Sequence, residues 1–273
     1  MGARQTGKTT LLNQLFKEAH DTVWLSGDDP DVQNVFEKIT STRLKTLFAG
    51  KKIIIIDEAQ RIADIGIKLK LITDQMKEAQ LIATGSSAFE LANRINEPLT
   101  GRKWEFQLFP LSFQEMATHH GLLEEKRLLP HRLVYGYYPE VVTAQGDEKN
   151  VLKQLADSYL YKDILMWERI QKPEKLIRLL QALSFQVGSQ VSYHELGQLT
   201  NLDNKTVEKY INLLEQVFVI FRLGSFSRNL RSELKSSRKI YFYDNGIRNA
   251  LIANFNQPEL RQDTGTLWEN FLM

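Results

Sequence analysis

A chain of 273 residues with 42% hydrophobic and 25% charged side chains has enough material for about two folded domains, and neither disorder nor membrane dominates its composition. A net charge of +2 imposes no global field toward nucleic acid or membrane, so any basic surface must be local. Cysteine is absent, which excludes disulfides, thiolate metal sites and thiol catalysis and is compatible with a reducing cytosol.

The chain opens "MGARQTGKTT". Gly2 to Thr9 has the spacing G-x-x-x-x-G-K-T of a loop that cradles phosphate. Gly2 and Gly7 let the backbone turn its N–H groups inward, the following helix adds a favourable dipole, Lys8 reaches the β- and γ-phosphates, and the Thr9 hydroxyl can ligate Mg²⁺. The candidate nucleotide contacts are Gly2, Ala3, Arg4, Gln5, Thr6, Gly7, Lys8, Thr9 and Thr10. The pattern alone is only moderately specific, because glycine-rich turns before helices also serve packing. No basic and then apolar leader precedes the loop, so no signal peptide is read.

From Thr10 to about Lys17, Leu11, Leu12, Leu15 and Phe16 fall on one helical face. "TVWLSGDD" reads as a strand running into an acidic turn. "KKIIIIDEAQ" is a branched apolar run expected of a strand buried on both faces of a parallel sheet. It delivers Asp57 and Glu58 to its C-terminal end, the edge where open α/β sheets bind ligands. Asp57 is placed to hold Mg²⁺ through its water shell and Glu58 to polarise an attacking water. The alternative is a solvated turn after a buried strand. "AQLIATGSS" is a third strand. At its end Ser86 is the candidate to sense a γ-phosphate, with Thr84 competing and a functionless polar loop as the other reading. Arg102 in "LTGRKWEF" is the candidate arginine finger toward a neighbouring subunit. Arg4, Arg61 and Arg94 are rivals, and each also reads as a solvated arginine. Strands alternating with helices indicate a parallel α/β domain, assigned to residues 1–125.

After "FQLFPLSFQEM" the character changes. From about Leu122 to Gln171 the chain is mostly helical, broken at "VYGYYPEVV", and residues 126–175 are taken as a helical linker. From Pro173 onward the order is helix ("EKLIRLLQALSFQ"), helix ("SYHELGQLT"), turn ("NLD"), helix ("NKTVEKYINLLEQ"), then strands "VFVIFRL" and "KIYFYD". Asp203 is the expected N-cap of the third helix. This is the order of a winged-helix module, assigned to residues 176–273. Asn204, Lys205 and Glu208 at the helix start have mixed signs. Arg228, Arg231, Lys235, Arg238 and Lys239 form a basic segment that could follow a DNA backbone. A protein-packing winged helix with a solvated basic loop is the alternative.

The longest apolar runs, Ile53 to Ile56 and Val217 to Phe221, are far too short to span a bilayer. No membrane partner is expected, and a cytoplasmic location is. His20, His119, His120, His131 and His194 show no paired ligand spacing.

"GARQTGKTTLL", "IIIIDEAQRI", "ATGSSAFEL", "LTGRKWEFQLFPLSFQEM" and "YGYYPEVV", in this order, resemble the prokaryotic AAA-type ATPases in which a P-loop domain precedes a C-terminal region of unknown function. "YLYKDIL", "YINLLEQVFVIFRL", "KIYFYDNGIRNALI" and "GTLWENFLM" look like that second region. The resemblance implies a fold related to archaeal and STAND-type ATPases, ATP with Mg²⁺ as ligand, and a winged-helix domain after the ATPase core. Three departures stand out. A glycine pair usual in the family is Gly136-Tyr137 here, which puts a backbone role for its second glycine in doubt. The family's leading strand should already have ended where Met1 stands, and "TLWENFLM" stops where the family usually continues into a nuclease-like domain. These two lead to the expectation of a chain truncated at both ends, a fragment or a reading frame with a misassigned start, and of weak nucleotide binding. The function expected is coupling of Mg-ATP binding or slow hydrolysis to movement of the winged helix, in a chain that can form homo-oligomers. The alternatives are a nucleotide-switched, nucleic-acid-associated regulator and a non-functional truncated ATPase.

Overall fold

The computed structural model describes residues 1–85, 99–158, 173–224 and 238–273. The chain divides into two compact units, Met1–Leu108 and Phe109–Met273.

The first unit is built on β2 (Ile53–Asp57). This strand pairs in parallel with β1 (Thr22–Ser26) on one side and with β3 (Gln80–Ala83) on the other. The registers run Thr22↔Ile53 to Ser26↔Asp57 and Ile53↔Gln80 to Ile56↔Ala83, so the three strands end level with one another. Ile54, Ile55 and Ile56 are fully buried, as an uninterrupted branched run requires when both faces of a sheet are covered. Burying a side chain of that size contributes roughly 1.5–3 kcal/mol. The run therefore fixes the register that sets where Asp57 emerges.

α1 (Lys8–Phe16), α2 (Pro30–Glu37), α3 (Ser41–Leu47) and α4 (Ile65–Gln75) complete this unit among the described residues. The core joins Phe36 of α2, Leu44 of α3 and Ile65, Leu69 and Ile72 of α4 to the isoleucines. Asp29 caps α2, accepting from the Asp31 N–H at 2.8 Å, with Pro30 in the first turn where its missing N–H costs nothing. α1 behaves differently. Its apolar stripe is present, yet none of its residues is buried and Leu15 is 64% exposed. Leu11, Leu12, Leu15 and Phe16 instead line an apolar groove of about 850 Å³ together with Leu81 of β3 and Trp104. Met1 and Gly2 are tied to the end of the unit: the N-terminal ammonium donates to the Phe106 carbonyl at 2.6 Å, and Gly2 bridges Leu108 in parallel sense.

The second unit begins with α5 (Phe113–His120), entered through a capping box between Ser112 and Glu115. α6 (Leu122–Tyr135), α7 (Pro139–Thr143), α8 (Glu148–Ser158), α9 (Pro173–Phe185), α10 (Tyr193–Thr200) and α11 (Asn204–Gln216) follow. β4 (Ile220–Leu223) and β5 (Lys239–Phe242) form an antiparallel pair, and α12 (Asn245–Leu251) and α13 (Thr264–Leu272) close the unit. Asp203 caps α11 as expected, accepting from the Thr206 N–H at 3.0 Å and its hydroxyl at 2.6 Å. Val207, Ile211 and Leu214 are buried at i, i+4 and i+7 of that helix. The strand expected from Val217 starts only at Ile220. Val217 is the C-cap of α11, its N–H returning to the Leu213 carbonyl, and Phe218 turns at φ 60°, so the first residues of the apolar run are spent on the turn. No helix among the described residues is long and apolar enough to cross a membrane.

A buried polar knot holds the centre of this unit. Asp244 caps α12, accepting from the Ile247 N–H at 3.0 Å, and its other oxygen accepts from the Tyr137 N–H at 2.7 Å. Asn249 donates to the Val134 carbonyl at 2.8 Å, and Arg248 and Arg261 both reach Asp263. Glu125, fully buried, accepts from the Tyr137 hydroxyl at 2.6 Å and meets His120 at 2.8 Å.

Burial pushes the Asp244 carboxyl up to about 6 from 3.8, against the pull of its backbone N–H partners. The folded chain thus holds a proton that the unfolded chain has released between pH 3.8 and about 6. This group's contribution is fully present below the lower value and is lost as pH rises through the upper one. The gap corresponds to about 3 kcal/mol. Urea midpoints measured from pH 4 to 7 should fall less steeply in Asp244→Asn than in the wild type. Parallel slopes would remove Asp244 as the source.

Candidate functional site: the loop and strand end of the first unit

The level C-terminal ends of the three strands bring several side chains to one place. Asp57, the last residue of β2, is 7% exposed. Its Oδ2 accepts from the Thr9 hydroxyl at 2.8 Å, joining two residues 48 positions apart. Its Oδ1 accepts from the Thr84 hydroxyl and from the Glu58 N–H at 3.2 Å. Thr84 itself is fixed by the sheet, its N–H donating to the Ile56 carbonyl at 2.9 Å and its carbonyl accepting from Ala59 at 2.9 Å. The carboxylate is thus held from both sides, one oxygen toward the loop and one toward β3.

The loop ahead of α1 has the backbone its glycines predict at one position. Gly7 sits at φ 90°, a conformation that side chains other than hydrogen strongly disfavour, and Gln5 is left-handed at φ 56°. Thr6 braces the loop from inside, its hydroxyl donating to the Ala3 carbonyl at 2.9 Å. Lys8 is turned onto the loop's own carbonyls, 3.0 Å from Gly2 and 2.5 Å from Ala3. No side chain caps the N-terminus of α1, so its first-turn N–H groups and dipole face the loop.

Glu58 follows Asp57 in a left-handed conformation, φ 48° and ψ 41°. Such backbone in a non-glycine residue stores strain and persists only where the surroundings enforce it. The enforcement is visible. The Glu58 N–H is held by Asp57 and, at 3.2 Å, by the Thr84 hydroxyl, and Gly27 packs flat against its carbonyl, where a Cβ would collide. Gly27 also donates to the Asp57 carbonyl at 2.7 Å and accepts from Gln33 at 2.6 Å. The Glu58 carboxylate meets the Gln60 amide at 2.6 Å.

The donor set suits a hard divalent cation. A hydroxyl from Thr9 and a carboxylate from Asp57, with phosphate oxygens and water for the rest, is the ligand pattern Mg²⁺ takes in nucleotide sites. Among the described residues no group of three or more His, Cys, Asp or Glu forms a cation site built by the protein alone.

The loop from Gly2 to Thr10, Asp57, Glu58 and Thr84 therefore lie in one unit, with Thr9, Thr84 and Glu58 gathered around Asp57. Ser86, the first choice for the third strand, and Arg94 lie outside the described residues. Arg102 is exposed and paired with Asp74 at 2.5 Å, and Arg61 meets Asp28 at 3.3 Å. In the second unit Arg228, Arg231 and Lys235 lie outside the described residues. Arg238 is exposed, and Lys239 is paired with Glu269 at 3.1 Å. Gly27 and Gln60 were missed by sequence reasoning. Gly27 carried one available signal, a glycine directly after a strand whose neighbour ends in the site.

Residues 1–117 match the AAA domain family. Residues 126–258 match a domain of unknown function (DUF8612). The first unit therefore resembles AAA-type nucleotide-binding ATPases, in a mixed α/β fold with a three-stranded parallel sheet. An uncharacterised protein of Haemophilus influenzae is 26% identical over 279 residues, covering 92% of this chain and 68% of its own length. An uncharacterised protein of Mycobacterium tuberculosis is 24% identical over 277 residues, covering 100% of this chain and 60% of its own length. The chain thus spans between 60% and 68% of the curated relatives it matches.

Proposed function

We propose that the first unit binds Mg-ATP and hydrolyses it slowly, and that the second unit, a winged-helix arrangement formed by α9 to α11 with β4 and β5, responds to the bound nucleotide. The observation that carries this reading is the Thr9 to Asp57 hydrogen bond at 2.8 Å. It supports the reading because a loop hydroxyl and a strand-end carboxylate are the groups that hold a phosphate-bound Mg²⁺. Kinship with archaeal and STAND-type ATPases and a cytoplasmic setting belong to the same proposal.

In this reading the Gly2 to Thr10 loop wraps phosphate with its N–H groups and the α1 dipole. Lys8 leaves the carbonyls of Gly2 and Ala3 for phosphate oxygens. Thr9 and Asp57 would hold Mg²⁺, which would supply charge neutralisation at the phosphates. Glu58 accepts a proton from the attacking water. Thr84, at the end of the third strand, keeps Asp57 aimed at Thr9. An arginine from a neighbouring copy, Arg102 by choice, would first have to leave Asp74.

Calorimetry with Mg-ATP on this chain tests the reading. Lys8→Ala should weaken binding by about 1.5–3 kcal/mol, roughly 10- to 150-fold in Kd, as expected for a charge-assisted hydrogen bond. Equal affinities in wild type and variant would remove the loop as the nucleotide site. The regulator reading has less support, because Lys239 already has its partner in Glu269.

A further inference from the structure

We infer that Gln60 is a positioning residue for Glu58, holding its carboxylate in the site through the side-chain amide. The inference rests on the reading of Glu58 as the base and adds to it the group that aims that base.

The backbone and the side chain of Glu58 are fixed by different partners. Asp57 and Thr84 hold its N–H, and Gly27 packs on its carbonyl. These contacts act on the backbone and not on the carboxylate. At the carboxylate, Gln60 Nε2 donates to Oε2 at 2.6 Å. A carboxylate only accepts when ionised, so the NH₂ end of the amide must face it and the orientation is unambiguous.

Gln60 is itself well placed to be rigid. It is 3% exposed and sits in the single helical turn Ala59–Arg61. That turn is pinned to the sheet by the Ala59 N–H on the Thr84 carbonyl at 2.9 Å. A long polar side chain is rarely buried this deeply. Here its amide donates to the carboxylate of the residue two positions before it. Support of this kind, one step removed from the chemistry, commonly matters by 10- to 100-fold in activity.

The test measures ADP release under saturating Mg-ATP, the Kd of a fluorescent ATP analogue and the melting temperature. The proteins are wild type, Gln60→Met, Gln60→Glu and Glu58→Gln. Gln60→Met keeps the length and loses the donor, so kcat should fall about tenfold with Kd and melting temperature nearly unchanged. Gln60→Glu keeps size and polarity but sets a carboxylate against Glu58, and should lose at least as much turnover. It also serves if the methionine variant does not fold.

Wild-type turnover in both Gln60 variants beside an inactive Glu58→Gln overturns the role of Gln60 and leaves the base in place. A parallel loss of nucleotide affinity, turnover and melting temperature shows a packing role and overturns it too. Full activity in Glu58→Gln, or no ATP turnover in the wild type, removes the base itself and with it this inference.

Discussion

Glu58→Gln is expected to lower ATP turnover by roughly 10²- to 10⁴-fold while leaving Mg-ATP affinity almost unchanged, the range over which a positioned general base contributes. The split follows from geometry. In the proposed function Lys8, Thr9 and Asp57 hold phosphate and Mg²⁺, whereas the Glu58 carboxylate meets the Gln60 amide. Glutamine keeps the volume, so Glu58's left-handed backbone and its contacts with Asp57, Thr84 and Gly27 survive the change. What is lost is the capacity to take a proton from water. Single-turnover ADP formation and equilibrium nucleotide binding read the two quantities separately. A variant that hydrolyses ATP at the wild-type rate would require another base. A variant that fails to bind ATP would mean that Glu58 acts on the ground state instead.

Much of the first unit was legible because its elements are set by local rules. "IIIID" is the pattern expected of a strand covered on both faces, and the spacing of Gly2, Gly7, Lys8 and Thr9 marks a loop entering a helix. Those two segments lead to the expectation that Thr9 and Asp57 serve one Mg²⁺, and the Thr9 hydroxyl does donate to Asp57 at 2.8 Å. What was not legible depends on long-range approach. Nothing in "TVWLSG" says that Gly27 lies against the Glu58 carbonyl, since that contact exists only once β1 and β2 are in register. Gln60 looked like one more polar residue after a strand, because burial is a property of the packed turn and not of the local sequence. Likewise, the spacing of Leu11, Leu12, Leu15 and Phe16 encodes a helical face and not its destination, an apolar groove. In the second unit the apolar run from Val217 to Leu223 hid a turn. Apolar character predicts burial there, and burial does not distinguish a C-cap from a strand.

The largest effect on stability is expected from Gly136→Ala, which should destabilise the second unit by about 3–5 kcal/mol. Gly136 ends α6 at φ 75° and ψ −160°, a region of backbone space that belongs almost entirely to glycine. Occupying it with alanine costs of order 1–3 kcal/mol by itself. A Cβ at this position would also fall on the Asp244 carboxylate. Asp244 has no room to retreat without loss, because it is buried and bonded at both oxygens, to Tyr137 on one side and to the cap of α12 on the other. Displacing it leaves buried N–H groups without acceptors, each worth about 1–3 kcal/mol. The strained position is Gly136, while Tyr137 contributes a backbone N–H to Asp244 and a hydroxyl to Glu125, neither of which needs glycine. Urea unfolding followed at the tyrosines of this unit should show an early transition in Gly136→Ala. Tyr137→Phe, which removes only the bond to Glu125, should shift it far less, and the reverse ranking would place the critical contact at Glu125 instead of Asp244.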